Sequence, residues 1–159
     1  MTTPNTLLHR QKYDPLHSMS KWHARAGQKA FIGADEKEQE KIKFLRAKLI
    51  LEEALEVIEE LGYDAVFTRD HNFELSAHGR DTSYENLAKE LADLKVVTYG
   101  TDEVFDIPAY PVFNEVMRSN FSKFDPKTGE PEYRFDGKIL KGVAYKAPDI
   151  NGALTGNWR

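Results

Sequence analysis

The residues that decide the fold are 35–61, DEKEQEKIKFLRAKLILEEALEVIEEL. This stretch is rich in Glu, Lys, Leu and Ala and contains neither Gly nor Pro, so its composition favours an α-helix that begins at Asp35 and ends before Gly62. Its apolar residues cover most directions around the axis, which predicts a central and largely buried helix. Because the few other helices of one chain cannot cover so many sides, we expect subunits to share a helical core.

Further helices are expected on both sides of this stretch. Asp14-Pro15 predicts a helix start, because Asp caps a helix and Pro suits its first position, and Gly27 ends that helix. A capping box predicts another helix start, with Thr82 as the cap and Glu85 reaching back to it. These signals favour an all-α fold.

The last helix and the tail have different patterns. Pro111 fits the first position of a helix, and Asp125-Pro126 ends it. Beyond it, apolar residues alternate around Asp136-Gly137, a two-residue turn signal. We therefore expect a helical core over about residues 15–124, and a small C-terminal hairpin with an irregular tail over residues 125–159.

Composition restricts the function classes. A length of 159 residues suits a single domain, 1–159. A net charge of −4 argues against nucleic-acid binding, and the lack of cysteine excludes disulfides, thiolate nucleophiles and Cys-based zinc sites. Residues 1–9 show no basic segment followed by an apolar run, and no later run suits a bilayer, so we expect a soluble cytoplasmic protein without membrane partners.

Two acidic pairs interrupt the apolar stripes of two helices. Glu53 and Glu56 are three residues apart on one helix face, and Glu90 and Asp93 are three apart on another. Antiparallel packing would gather four carboxylates, which repel one another unless their pKa values rise or a cation neutralises them. Mg²⁺, or alternatively Mn²⁺, prefers such oxygen ligands and can bind a polyphosphate while activating water. The pattern therefore predicts phosphoanhydride hydrolysis.

Two other interpretations of the acidic pairs compete with this one. Acidic pairs on helices are often solvated faces without a ligand. A di-iron or di-manganese carboxylate bundle is the other alternative, but it usually needs Glu-x-x-His. Position 59 is Glu and position 96 is Val, so the di-metal bundle is disfavoured.

These residues carry a family resemblance. Residues 51–56, LEEALE, followed by 90–94, ELADL, resemble the EE-x-x-E and E-x-x-D signature of the MazG-like and phosphoribosyl-ATP pyrophosphohydrolase families. Residues 22–27, WHARAG, are similar to the first-helix segment of that superfamily, and 115–123, EVMRSNFSK, to its closing N-x-x-K segment. The resemblance covers roughly residues 15–124. It implies a MazG-like helical bundle that is completed by oligomerisation as a homodimer or homotetramer.

The resemblance also implies an activity and a set of site residues. In the superfamily, Mg²⁺ held by the acids promotes hydrolysis between the α- and β-phosphates to give a nucleoside monophosphate and pyrophosphate. Glu53 would also orient or deprotonate the attacking water. The implied metal ligands are Glu53, Glu56, Glu90 and Asp93. The implied substrate contacts are Trp22, Asn120 and Lys123, for which the competing interpretations are a core aromatic, a helix-capping amide and a surface lysine.

Three functions follow from these observations. The first is a nucleoside triphosphate pyrophosphohydrolase that acts on a nucleoside or deoxynucleoside triphosphate whose base the sequence does not choose. The second is phosphoribosyl-ATP hydrolysis in histidine biosynthesis, and the third is a non-catalytic helical dimerisation module. Residues 62–81 form a longer connection than the family usually shows. We expect a lid or a short hairpin there, which covers the site or helps to choose the base.

Overall fold

The computed structural model describes residues 14–68 and 72–156, which fall into two compact units, Met1–Asp106 and Ile107–Arg159. The first unit contains α1 (Pro15–Ala26), α2 (Glu36–Glu60), β1 (Tyr63–Phe67), β2 (Phe73–Ala77) and α3 (Tyr84–Val104). The second unit contains α4 (Ala109–Phe121) and α5 (Ile150–Thr155). The chain is therefore mostly helical, as expected, with one small two-stranded sheet. No helix in the described part combines the length and apolar character needed to cross a bilayer.

The first two helices begin and end where their sequence signals indicate. The Asp14 carboxylate accepts the Leu16 N–H at 3.0 Å, and Gly27 ends α1 in the left-handed region with φ 63°. The Asp35 carboxylate accepts the Glu38 N–H at 2.8 Å at the start of α2. Each carboxylate satisfies a backbone donor that has no partner inside its helix.

The expectation that α2 is largely buried is wrong within one chain. The buried residues of α2 are Ile42, Arg46 and Val57. Phe44 is 73 % exposed, and Leu51 is 47 % exposed. The physical reason is coverage, because α2 packs on α3 and β1, whereas α1 packs on α3. One face of α2 is covered, and several apolar side chains on other faces are not.

The connection after α2 is a hairpin, one of the two forms expected for it. β1 and β2 pair antiparallel, with Tyr63 opposite Ala77 and Phe67 opposite Phe73. Gly62 allows the turn out of α2 with φ 94°, and its carbonyl accepts the His78 N–H at 3.0 Å. The hairpin therefore begins directly at the end of α2.

Helix α3 begins one residue later than predicted, and the predicted capping box does not form. Ser83, rather than Thr82, is the cap, and its hydroxyl accepts the Asn86 N–H at 3.3 Å. Glu85 then stands at the second helical position, whereas a capping box needs the acid at the third. Thr82 and Ser83 are adjacent hydroxyl residues, and either could cap the helix. The helix that forms is the shorter of the two, because Ser83 is its cap.

Helices α2 and α3 run antiparallel. The Asn86 amide lies 3.5 Å from Glu60 Oε1, near the end of α2 and the start of α3. Glu56 contacts Glu90 further along, and Arg46 lies against Gly100. Residues earlier in α2 therefore lie beside residues later in α3. This packing is the arrangement that the acidic pairs required.

The second unit differs from expectation at both ends of α4. The helix begins at Ala109, so Pro111 occupies its third position, and it ends at Phe121 with Ser122 as its cap, before the predicted stop at Asp125-Pro126. Pro111 fits this place because the N–H groups of the first turn have no partner within the helix.

The C-terminal hairpin forms in a reduced version. A single bridge joins Tyr133 and Ile139, and the Arg134 N–H donates to the Lys138 carbonyl at 2.7 Å around the predicted turn. The tail is not irregular throughout, because α5 forms near its end. Asp149 caps α5 by accepting the Gly152 N–H at 2.9 Å.

Candidate active site

The antiparallel contact of α2 and α3 brings three carboxylates together. Glu53 and Glu56 are one helical turn apart on α2, so they project from one face toward α3, which supplies Glu90. One carboxylate oxygen of each residue lies within 4.8 Å of the other two. Glu53 and Glu90 are partly buried, and Glu56 is exposed. Three of the four predicted metal ligands therefore form one group.

Glu56 responds to the crowding of this group. Its pKa is raised above the ordinary value, first by a hydrogen bond with Glu90, then by burial and by the negative charge of Glu53. A hydrogen bond between two carboxyl groups needs a proton on one of them. The pKa of Glu56 is therefore raised first by this hydrogen bond, and repulsion from Glu53 and Glu90 adds a smaller part.

Asp93, the fourth predicted ligand, lies outside the three-carboxylate group. It stands one turn beyond Glu90 on α3, and its carboxylate pairs with Lys89 Nζ at 3.0 Å. The same ammonium group pairs with Glu90 at 2.8 Å, and the two contacts raise the pKa of Lys89. Lys89 therefore holds positive charge between Glu90 and Asp93.

The donor set fits a hard divalent cation. It consists of carboxylate oxygens, which are the ligands that Mg²⁺ and Mn²⁺ prefer. The negative charges of Glu53 and Glu90 contribute to the raised pKa of Glu56. A bound cation would relieve that repulsion. The residues that could hold it are Glu53, Glu56 and Glu90. Asp93 lies one helical turn after Glu90 on α3.

Trp22 lies on α1 and is 55 % exposed, so it is not the core aromatic of the competing interpretation. Its ring is 5.5 Å from the ring of His23. His23 packs beside Gly100, which is ten residues after Glu90 and therefore about 15 Å along α3. The part of Trp22 in substrate binding stays a prediction.

Asn120 and Lys123 belong to the second unit, at the end of α4. The Lys123 ammonium group donates to Asn120 Oδ1 at 2.7 Å, so the two predicted substrate contacts lie side by side. Asn120 is in the last turn of α4, and Lys123 directly follows the cap residue Ser122. Their part in substrate binding stays a prediction.

Sequence reasoning missed Lys89. A signal was present, because a lysine four residues before an aspartate on a helix commonly pairs with it. It also missed that His23 and Arg46 are both buried beside Gly100. Burial first, and then the charge of Arg46, lower the pKa of His23. No local pattern marks this arrangement, because the two residues come from different helices.

The fold and the site together define the class, a helical protein whose carboxylates meet between antiparallel helices in a form suited to a divalent cation. The sequence model of the phosphoribosyl-ATP pyrophosphohydrolase family matches residues 7–120, which is most of the chain. The chain belongs to this family, within the MazG-like nucleoside triphosphate pyrophosphohydrolase superfamily. No curated protein matches the chain. Family membership confirms the predicted resemblance and supports pyrophosphohydrolase activity on a nucleotide.

Proposed function

We propose that the chain hydrolyses the bond between the α- and β-phosphates of a nucleotide in a Mg²⁺-dependent reaction. The observation that carries this proposal is the group formed by Glu53, Glu56 and Glu90, whose carboxylate oxygens lie within 4.8 Å of one another. A cation would neutralise the repulsion within such a group, and a polyphosphate is a substrate that a cation on carboxylates binds well. Family membership agrees with this chemistry.

Each acidic residue has a role in the proposed reaction. Glu53, Glu56, Glu90 and Asp93 would hold the cation, which would neutralise the phosphate oxygens and so favour attack on phosphorus. The Glu53 carboxylate orients the water molecule and accepts its proton. A new P–O bond forms to the water oxygen while the bridging P–O bond breaks. The products are a nucleoside monophosphate and pyrophosphate.

Phosphoribosyl-ATP, an intermediate of histidine biosynthesis, is the first substrate candidate because the family description names it. A nucleoside or deoxynucleoside triphosphate is the second. The observation that favours the second is the β1–β2 hairpin between the two acidic helices, which lies where a segment that covers the site or helps to choose the base was expected. Trp22, Asn120 and Lys123 are the proposed contacts to the base, sugar or phosphate of either substrate.

A product assay tests the proposed reaction. The protein is incubated with Mg²⁺ and, separately, with phosphoribosyl-ATP and each common NTP and dNTP, including dUTP, and the products are separated by chromatography. We expect a monophosphate and pyrophosphate from at least one substrate, loss of activity in EDTA, and recovery with Mg²⁺ or Mn²⁺. Orthophosphate with a diphosphate would show a different hydrolase, and no reaction with any substrate would favour the non-catalytic helical module.

Substitution of the acids tests the site itself. Glu53→Gln and Asp93→Asn should each lower kcat by about 100-fold or more, because a general base or a metal ligand is lost. Both variants should stay folded by circular dichroism, because Glu53→Gln removes one of several like charges, and Asp93→Asn changes a side chain that is 42 % exposed. Glu36→Gln, an exposed change at the start of α2, is the matched control. Near-normal rates in both site variants would place the reaction elsewhere.

A further inference from the structure

Helix α4 carries a polar stripe that has no role in the reaction as described so far. Glu115, Ser119 and Ser122 follow one another at intervals of four and three residues, so they lie on one face of the helix and its cap. Glu115 and Ser119 are buried, at 7 % and 4 % exposure, although both side chains are polar. Buried polar groups need hydrogen-bond partners, and here the partners come largely from a later part of the chain.

These partners are backbone groups of residues 142–149, which we name the C-terminal strap. The Ser119 hydroxyl donates to the Lys146 carbonyl at 2.8 Å. The Ser122 hydroxyl accepts the Lys146 N–H, also at 2.8 Å. One residue of the strap is therefore bonded through both of its backbone groups to two serines on successive turns. Because these bonds use backbone atoms of the strap, they fix the path of the chain along α4.

The strap is also held at its two ends. The Asp149 N–H donates to Glu115 at 2.6 Å. At the other end, a Cβ atom at Gly142 would lie 2.8 Å from the Lys123 carbonyl oxygen, closer than real Cβ atoms approach other heavy atoms. Gly142 is not among the glycines with positive φ, so no unusual backbone conformation requires a glycine there. Position 142 is a glycine because the strap backbone touches the backbone of Lys123.

The strap contacts lie next to the two proposed substrate contacts of α4. Asn120 directly follows Ser119, and Lys123 directly follows Ser122. The Lys123 N–H donates to the Asn120 carbonyl at 3.1 Å, and the Lys123 ammonium group donates to Asn120 Oδ1 at 2.7 Å. A shift of the Lys123 backbone therefore changes the placement of both side chains.

We propose that Ser119, Ser122 and Gly142 are positioning residues for the substrate. They hold the end of α4 against the strap, so that Asn120 and Lys123 meet the nucleotide in a fixed geometry. A contact that is ordered before binding loses less conformational freedom when the ligand arrives, and so it binds more tightly. This inference rests on the proposed function, because it needs Asn120 and Lys123 to touch the substrate.

A strap that only anchors the tail would behave differently. The strap lies beyond residues 7–120, which the family model matches, so its role does not follow from family membership. An anchoring strap contributes to the free energy of unfolding and leaves the substrate affinity of the folded protein unchanged. A positioning strap sets KM in the folded protein. The ratio of KM to kcat effects therefore separates the two roles.

Steady-state kinetics of Gly142→Ala, with the nucleotide that the wild-type protein hydrolyses fastest, tests the positioning role. The new methyl group must push the strap away from the Lys123 carbonyl. We expect KM to rise about tenfold with kcat nearly unchanged, because binding shared by ground state and transition state is lost. Val143→Ala changes a strap residue that is 92 % exposed and should keep the wild-type KM. A folded Gly142→Ala protein with the wild-type KM would overturn the inference.

Ser122 offers a second test that does not depend on whether Gly142→Ala folds. Ser122→Ala removes the acceptor of the Lys146 N–H and should raise KM about threefold, the effect of one neutral hydrogen bond. Ser122→Thr keeps the hydroxyl and should restore the wild-type KM. A Ser122→Ala protein whose kcat falls while KM stays at the wild-type value would assign the strap an anchoring role only.

Amide hydrogen exchange of the substrate-free protein measures the order of the end of α4 without turnover. Exchange of residues 116–124 should be faster in Gly142→Ala than in Val143→Ala, because the strap no longer holds this turn. Equal exchange in the two variants would contradict the positioning role. Wild-type protein that hydrolyses no nucleotide would refute the proposed function and this inference together, whereas an active wild type with unchanged KM in Gly142→Ala and Ser122→Ala would refute this inference alone.

Discussion

The ammonium group of Lys89 lies 2.8 Å from a Glu90 oxygen and 3.0 Å from an Asp93 oxygen. Both oxygens belong to residues that we propose as metal ligands. A divalent cation bound there would therefore compete with Lys89 for the same negative charge, and its binding would release the lysine. A released ammonium group beside the site is free to contact a phosphate oxygen.

Replacing Lys89 tests this competition. Lys89→Met should raise the affinity for Mg²⁺ severalfold, because the cation no longer displaces a resident positive charge. Calorimetric titration of the substrate-free protein with Mg²⁺ measures the change. Lys95→Met, an exposed lysine on the same helix, serves as the control. Weaker Mg²⁺ binding in Lys89→Met would show that the lysine supports the site rather than competes with the cation.

Gly100 is the residue that lets α1, α2 and α3 approach closely. A Cβ atom there would lie 2.9 Å from His23 Nε2, 3.2 Å from Met19 Cε and 3.3 Å from Arg46 Nη1. Real Cβ atoms do not approach other heavy atoms to 2.9 Å, so any larger residue must displace the His23 ring. Position 100 is therefore a glycine because no side chain fits between the three helices there.

Gly100→Ala should destabilise the protein by up to about 2 kcal/mol, because overpacking costs about 1–3 kcal/mol and the gain in helix propensity offsets about 1 kcal/mol. Urea unfolding monitored by circular dichroism measures the loss. The double variant His23→Ala/Gly100→Ala should show a favourable coupling, since the ring that meets the new methyl group is gone. A Gly100→Ala protein as stable as wild type would show that the ring moves freely.

The acidic residues could be predicted one by one from the sequence, whereas the polar pair His23 and Arg46 could not. Glu53, Glu56 and Glu90 interrupt apolar stripes, and periodicity alone reveals such an interruption. Arg46 looks like an ordinary charged residue on a helix rich in lysine. Its burial depends on how closely α1 and α3 approach, which is a property of three helices together.

Among the elements, α4 and α5 are joined by a buried carboxylate. Glu115 on α4 pairs with Arg118 at 2.7 Å and accepts the Asp149 N–H at 2.6 Å just before α5. Its side chain is 7 % exposed. Arg118 first, and then the Asp149 N–H, lower the pKa of Glu115 to about 2. The ionised form of Glu115 therefore holds α5 against α4.

The stabilising effect of Glu115 should depend on pH. Because its pKa falls from 4.5 to about 2 on folding, the contribution is complete above pH 4.5 and is lost as the pH falls toward 2. Urea unfolding should show that Glu115→Gln is less stable than wild type at pH 7, with the difference shrinking between pH 4.5 and 2. Glu130→Gln, an exposed acid in the same unit, should show no such trend. A difference that is independent of pH would contradict the assignment.

Elements with strong local signals were predicted well, and elements that depend on distant partners were not. Asp14 and Asp35 cap their helices through bonds two and three residues away, so sequence alone locates them. The short helix α5 was missed because six residues give no periodic pattern. It is held by Asp149, whose N–H bonds to Glu115, 34 residues earlier.

At the scale of the whole molecule, the exposed apolar side chains of α2 are the main feature that one chain leaves unexplained. Phe44 is 73 % exposed, Leu45 is 44 % exposed and Leu51 is 47 % exposed. Phe44 and Leu51 are seven residues apart and so lie on one helix face, and exposed apolar surface on one face often marks a contact surface. It agrees with the predicted helical core shared between subunits, which stays a prediction.

Sedimentation velocity at micromolar concentration should show a dimer or tetramer. Leu51→Glu should shift the protein toward the monomer, because a charge in an apolar interface must be desolvated without a partner. Val143→Glu changes a residue that is 92 % exposed in the second unit and should leave the assembly unchanged. A wild-type protein that sediments as a monomer would contradict the shared core.

The β1–β2 hairpin also has a consequence for how the acidic helices find each other during folding. The entropy lost in closing a loop grows with its length, and α2 and α3 are more than twenty residues apart in sequence. Pairing of Tyr63 with Ala77 is local and brings the two ends of the connection together. Helix docking then closes a much shorter effective loop. Changes in length between Thr68 and Asn72 should therefore leave both the folding rate and the Glu56–Glu90 contact nearly unaltered, which makes the hairpin tip a suitable place for an inserted label or tag.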